Sequence, residues 1–180
     1  MKTPLWTDKL DVSLPVLIIH HWDTDGICSA ALLSRYLSRE CSIEDVIYCF
    51  PDIGTYALQD KNKNPEGNIA FPDAEFSAVF VVDYAVRENE LVNVEHHYNA
   101  PLIIYDHHQR KPAHRDGIYY YNPVAEGESS MSWPSCTWVA KTFLDLEIDD
   151  LVILGIAGDM EERFLPEGFE LFPEIMDYLE

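Results

Sequence analysis

The 180-residue chain has the length of one ordinary domain, and its 12 Lys and Arg residues against 32 Asp and Glu residues give a formal net charge of -20. This acidic balance disfavours general nucleic-acid binding, which draws its affinity from cations that neutralise phosphates. A polyanionic substrate would be repelled wherever bound metal ions do not reverse the field, so the charge favours a metal, a small substrate or a basic partner.

The chain begins with an apolar run at residues 16–19 that predicts a strand, followed by a helical pattern over residues 26–39. The apolar face of this helix is formed by residues three or four positions apart: Ile27, Ala30, Leu33 and Leu37. A second strand is predicted at residues 46–50. The polar, turn-rich stretch at 51–73 then predicts an inserted surface loop.

Strands and helices continue to alternate along the rest of the chain. The predicted elements are strands at 79–82, 102–105 and 117–121 and helices at 88–96, 134–144 and 149–154. The strands are continuous apolar runs, which is typical of parallel sheets covered on both faces. We therefore expect an α/β fold, a mainly parallel sheet flanked by helices, as a single domain over residues 1–180.

The sequence carries no signal for a membrane or an oxidising compartment. No apolar stretch approaches the roughly 18 residues of a membrane span, and the first residues do not resemble a signal peptide. The four cysteines lack a CxxC pairing and predict free thiols. We expect a cytoplasmic protein with no membrane partner.

Acids and histidines follow the apolar runs at their carboxyl ends. The run at 16–19 leads to His21, Asp23 and Asp25, which face one site if the chain leaves the strand extended before Gly26 turns it into the helix. The later runs lead to Asp83, to Asp106, His107 and His108, and to Asp159. Parallel sheets bind ligands at this edge, so these groups should converge. Converging carboxylates repel one another unless cations intervene, and an oxygen-rich set with imidazoles favours manganese.

These segments resemble the four ordered motifs of the DHH phosphoesterases. The motifs are His21-Trp22-Asp23-Thr24-Asp25-Gly26 with Ser29-Ala30, Asp83, Asp106-His107-His108, and Gly155-Ile156-Ala157-Gly158-Asp159. The first motif opens with His, as in archaeal RecJ-like nucleases. Oligoribonucleases, cyclic-dinucleotide phosphodiesterases and family II pyrophosphatases are less similar.

The resemblance implies a catalytic domain with two divalent metal ions, manganese by preference. His21 and Asp23 would hold one ion, the side chains of Asp25, His107 and Asp159 the other, and Asp83 would bridge them. His108 would contact the scissile phosphate, and Asp106 would orient its neighbours. Members of this family usually continue into a C-terminal substrate-binding domain with a Gly-rich motif. We expect that domain to be absent here, so that a protein partner could supply the missing half.

Two further features leave alternatives open. Arg110, Lys111 and Arg115 form a small basic loop that either contacts a substrate phosphate or balances charge. Trp22 and the other aromatic residues either stack bases or pack in the core, and packing is the favoured interpretation.

The sequence thus predicts a manganese-dependent phosphoesterase that hydrolyses phosphodiester bonds of single-stranded DNA or RNA or of short oligonucleotides. The alternatives are a hydrolase of a small phosphate compound, such as a cyclic dinucleotide or pyrophosphate, and a non-catalytic scaffold that binds other proteins. Intact metal ligands speak against the scaffold.

Overall fold

Five parallel strands form one sheet in a computed structural model that describes residues 4–112, 115–160 and 175. The strands are β1 (Val16–His20), β2 (Val46–Cys49), β3 (Ala78–Val82), β4 (Leu102–Tyr105) and β5 (Ile118–Tyr121). The helices are α1 (Thr24–Cys41), α2 (Glu88–Tyr98), α3 (Cys136–Phe143) and α4 (Asp150–Met160). The predicted fold class, a parallel α/β sheet flanked by helices, is confirmed.

The strand order is β2-β1-β3-β4-β5, with each neighbouring pair parallel and in continuous register. The chain moves outward from β1 to β2 and then crosses back to place β3 on the other side of β1. This reversal is a topological switch point, where the loops after β1 and β3 diverge and leave a crevice. The crevice lies at the end of the sheet where the acidic and histidine segments begin.

Alternate strand residues build two separate apolar cores. Val16 and Ile18 face a core that also includes side chains of α1, α3 and α4. Leu17 and Ile19 face the opposite core, which includes side chains of α2. Burial on both faces explains why the strands are continuous apolar runs.

The start of α1 differs from the prediction. The helix begins at Thr24 and is capped by Asp23, whose carboxylate accepts a hydrogen bond from the Gly26 amide at 3.0 Å. Asp25 therefore lies in the first helical turn, and the predicted extended exit with a turn at Gly26 is wrong. Ile27, placed by its spacing on the apolar face, is 52% exposed. Instead, Leu32, Leu33, Leu37 and their buried neighbours form that face.

Residues 51–73 contain no helix or strand beyond one isolated bridge between Asp60 and Ile69. Leu58, Ile69 and Phe71 are nevertheless buried in the core on the α2 side of the sheet. The segment is thus tied to the domain by apolar contacts, while its tip at residues 61–66 is exposed.

The remaining general predictions concern helices and thiols. None of the helices in the described part of the chain has both the length and the apolar character that crossing a bilayer requires. All four cysteines are free thiols.

Candidate metal centre

The crevice between the ends of β1 and β3 holds a first group of possible ligands. His21 and Asp23 follow β1, and their Nδ1 and Oδ2 atoms are 2.5 Å apart. The same His21 nitrogen lies 3.7 Å from Asp83 Oδ2. One ligand atom from each of these three residues lies within 4.8 Å of the others. The predicted first set therefore comes together in space.

A second group lies on the other side of Asp83. His107 Nε2 is 2.9 Å from Asp159 Oδ2, 3.8 Å from Asp25 Oδ2 and 3.5 Å from Asp83 Oδ1. Asp25, His107 and Asp159 offer ligand atoms within 4.8 Å of one another. Asp83 thus stands between the two groups, with one oxygen near each.

Asp159 reaches this group from a helix rather than from a strand end. The apolar run that precedes Asp159 lies in α4, which begins near the start of the helix predicted at 149–154 and extends beyond it to Met160. Two glycines permit the approach. A Cβ atom on Gly158 would lie 2.7 Å from Thr24 Cβ, and one on Gly155 would lie 2.6 Å from Asp25 Oδ1. Only glycine lets α4 pack this closely against the start of α1.

Asp25 has a structural contact that the sequence does not show. Its carboxylate accepts hydrogen bonds from the backbone amides of Cys136 at 2.6 Å and Thr137 at 3.0 Å. These amides are at the N-terminus of α3, where the helix dipole favours a negative charge. Asp25 therefore joins α1 to α3 and is held in place at the centre.

Asp83 is, like Asp25, almost fully buried. It is 1% exposed and adopts a φ of 57°, in the left-handed region that Asp tolerates better than most residues. Its amide donates to the Tyr105 carbonyl at 2.9 Å, which holds the backbone at the end of β3. The carboxylate consequently points into the cluster from a fixed position.

The electrostatics show a shortage of positive charge. Burial, followed by repulsion from Asp25, raises the pKa of Asp83 well above 3.8. Burial is also the main cause that raises the pKa of Asp25 to about 6. For His107, burial opposes protonation, but contacts with Asp159 and Asp83 outweigh it and raise the pKa to about 11. The cluster thus retains protons that a cation would displace.

Unpaired buried atoms test whether a metal fits. Within the described residues, His21 Nε2, both Asp83 carboxylate oxygens and His107 Nε2 have no hydrogen-bond partner. The approach of His107 to Asp159 is short but too poorly aligned for a hydrogen bond. A buried unsatisfied polar atom costs about 1–3 kcal/mol. Coordination by divalent cations would satisfy both Asp83 oxygens and His107 Nε2, so the donor set fits such ions.

His108 and Asp106 form a separate pair at the rim. His108 Nδ1 lies 2.6 Å from Asp106 Oδ1, and its half-exposed side chain lines a cavity of about 250 Å³ with His21 and Asp83. Asn122 donates from Nδ2 to Asp106 Oδ2 at 2.8 Å and to the His108 carbonyl at 3.0 Å. Sequence analysis missed Asn122, although it directly follows β5 and so repeats the strand-end pattern.

The predicted basic loop lies beside this cavity. Arg110, Lys111 and Arg115 line a second cavity of about 320 Å³, joined by Arg87, which the sequence analysis did not single out. Arg110 also lines the cavity that contains His108. Four of the 12 basic residues thus gather next to the candidate centre of a chain with a net charge of -20.

The fold and this centre define a class of protein, the parallel α/β domains that carry an acidic and histidine cluster at a switch point of the sheet. The chain belongs to the DHH family: the model of the DHH family, N-terminal domain, matches residues 15–156. It therefore has the DHH phosphoesterase fold, and the predicted family resemblance is confirmed. No curated protein matches the sequence.

Solved structures support the fold assignment. An exonuclease RecJ crystallised with manganese matches with a TM-score of 0.60 at 17% identity, over 94% of this chain and 45% of its own. An exopolyphosphatase-related protein from Bacteroides fragilis matches with a TM-score of 0.57 at 16% identity, over 96% of this chain and 54% of its own. The DHH domain of a member of the s1p family of ribosomal proteins matches with a TM-score of 0.59 at 16% identity, over 92% of this chain and 44% of its own. The chain thus spans about half the length of these proteins, and identities this low show the fold alone.

Proposed function

We propose that this protein is a manganese-dependent phosphoesterase that hydrolyses phosphodiester bonds in single-stranded nucleic acid or short oligonucleotides. The observation that carries the proposal is the position of Asp83, whose two unpaired, buried oxygens each face a separate group of ligands. A carboxylate in this position is suited to two cations and to little else.

The cluster divides the ligands between two ions. His21 and Asp23 would hold one, the side chains of Asp25, His107 and Asp159 would hold the other, and Asp83 would serve both. Two bound divalent cations supply an activated water nucleophile and offset the charge that develops on the phosphoryl group. The protein fixes the ligands beforehand, because Asp25 is held by α3 and Asp83 by the Tyr105 carbonyl.

His108 is the proposed proton donor to the leaving oxygen. Its Nδ1 is engaged by Asp106, and its Nδ1 also lies 3.9 Å from Asp83 Oδ1, at the edge of the centre. Nε2 is therefore the ring atom left for the substrate. Asp106 does not contact substrate in this proposal, and together with Asn122 it sets the orientation of the imidazole.

The basic cavity supports a substrate with more than one phosphate. Arg110, Lys111 and Arg87 offer charge-assisted hydrogen bonds beside the site where the scissile phosphate would lie, whereas Arg115 pairs with Glu95. A single phosphate held at the metal centre would not need these further cations. A phosphodiester chain would extend from the centre into this cavity.

A second candidate is hydrolysis of a small phosphate compound, such as a cyclic dinucleotide or pyrophosphate. The net charge of -20 favours it, because a long polyanion is repelled before it reaches the centre. A non-catalytic scaffold is less well supported. Such a protein gains nothing from the unpaired buried polar atoms of Asp83 and His107, which destabilise its fold.

A protein partner is proposed to contribute to the positioning of the substrate. Alignment of the substrate with the attacking water accounts for several kcal/mol of such barriers. The chain should therefore bind manganese by itself, and a partner that aligns the substrate should raise its rate of nucleic-acid hydrolysis.

The test is a panel of substrates assayed with manganese: single-stranded DNA, short RNA, a cyclic dinucleotide and pyrophosphate. The proposal expects hydrolysis of the oligonucleotides that is abolished by EDTA and by Asp83→Asn. Activity confined to pyrophosphate would select the second candidate. No manganese binding, measured by isothermal titration calorimetry, would overturn both candidates.

A further inference from the structure

An exposed aromatic side chain borders the candidate centre. Tyr56 is 67% exposed, yet it lines the same cavity as His21, Asp83 and His108. Its ring centroid is 5.5 Å from that of His21 and 6.0 Å from that of Trp22. A large aromatic surface is therefore presented to the position that a substrate would occupy.

The backbone that carries Tyr56 is held at both strand ends of the crevice. The Thr55 carbonyl accepts a hydrogen bond from Trp22 Nε1 at 3.2 Å and another from the Tyr84 hydroxyl at 3.0 Å. Trp22 follows β1 and Tyr84 follows β3, so each adjoins a candidate metal ligand. Asn68 also donates to Thr55 Oγ1 at 2.8 Å. The ring is thus exposed on a backbone that is fixed relative to the centre.

Single exposed aromatic residues are common and usually need no explanation. Tyr56 differs because it combines exposure with a place in the cavity and a doubly anchored backbone. Arg110 lines the same cavity and continues into the basic one. The cavity therefore has an aromatic wall, an acidic and histidine centre, and a cationic wall, which match the base, scissile phosphate and neighbouring phosphate of a nucleotide.

We propose that Tyr56, backed by Trp22, stacks against the nucleobase next to the scissile phosphate and makes the enzyme selective for nucleotide substrates over base-free phosphates. The inference rests on the proposed phosphoesterase function and deepens it. Base–aromatic stacking needs only a π face, so it selects for a base without selecting its sequence. Pyrophosphate and polyphosphate have no group that could use this surface.

The first experiment compares a deoxydinucleotide with its abasic counterpart, assayed with manganese. For Tyr56→Ala, kcat/KM for the dinucleotide relative to the abasic substrate should fall roughly 5- to 100-fold, the range that loss of one stacked base produces. Tyr56→Phe should retain the preference, because it keeps the ring. Tyr48→Ala is the matched control, since Tyr48 is 49% exposed beside His20 and does not line the cavity.

A binding measurement separates this inference from the proposed activity. Calorimetry should show that wild-type protein binds thymidine 5′-monophosphate more tightly than 2-deoxyribose 5-phosphate, and that Tyr56→Ala removes the difference. If the preference is present but no substrate is hydrolysed, the proposed function fails and the base site stands. If both substrates are hydrolysed equally well, or Tyr56→Ala weakens both ligands equally, the base site is refuted and the phosphoesterase activity stands.

Discussion

Asp83→Asn and Asp106→Asn are matched substitutions that should shift the stability of the metal-free protein in opposite directions. Both carboxylates are 1% exposed, and each change keeps the side-chain shape while removing one negative charge. They differ in their partners. The Asp83 oxygens have no hydrogen bond among the described residues, whereas those of Asp106 accept from His108 and Asn122.

Asp83→Asn should raise metal-free stability. A carboxyl group whose folded-state pKa is raised destabilises the fold as the pH rises above the unfolded value. The loss of folding stability is about 1.4 kcal/mol for each pH unit above 3.8. It stops growing at the raised pKa of Asp83 or at the assay pH, whichever is lower. The amide has no such cost and tolerates the left-handed backbone. For a domain of this size each such unit corresponds to a rise in Tm of roughly 3–6 °C.

Asp106→Asn should lower metal-free stability. The new side-chain amide nitrogen would replace one of the two Asp106 oxygens that accept hydrogen bonds from His108 and Asn122. It would then face a donor that has lost its acceptor. Leaving a buried donor unpaired costs about 1–3 kcal/mol. The expected fall in Tm is therefore roughly 2–12 °C.

Manganese should narrow the difference in stability between the two variants. At 100 times the dissociation constant, a bound ion stabilises the fold by about 2.7 kcal/mol, or roughly 5–11 °C in Tm. Wild type and Asp106→Asn should show this gain, and Asp83→Asn should lose most of it. The assay is thermal unfolding at pH 7, first with EDTA and then with excess manganese. A large fall in the metal-free Tm of Asp83→Asn would make Asp83 a structural residue and refute the reasoning.

Three further predictions concern the pH, the proton donor and the basic cavity. Because the pKa of His107 is raised to about 11, manganese binding at pH 7 should release at least one proton, and the affinity should increase as the pH rises. Equal calorimetric binding enthalpies in buffers of different ionisation enthalpy would contradict this proton release. His108→Gln should lower kcat about 10²- to 10⁴-fold while the Tm gain with manganese persists. If that gain is lost, His108 is a metal ligand instead. Arg110→Ala should reduce the salt dependence of oligonucleotide binding by about one unit of slope, whereas Lys61→Ala should leave it unchanged, because Lys61 pairs with Asp52 and does not line the basic cavity.

The sequence predicted the elements well because their signals are local. Apolar runs and helical spacing depend on neighbours a few residues apart, and the five strands and four helices lie close to their predicted ranges. The errors arose where packing decides. Ile27 has helical spacing but is half exposed and belongs to neither apolar core, so spacing alone placed it on the wrong face.

The sequence also determined which side chains were candidates for the centre, because each motif adjoins a strand end or a helix whose position follows from the parallel sheet. Their roles as metal ligands stay predictions that the experiments above address.

Only the tertiary structure decided how these groups meet. The approach of Asp159 depends on glycines of α4 that touch the start of α1, more than 120 residues earlier in the chain. Asp25 gains its hydrogen bonds from α3, and Tyr56 gains its position from Trp22 and Tyr84. Contacts over such separations are set by the packing of whole elements, and no local pattern of residues encodes them.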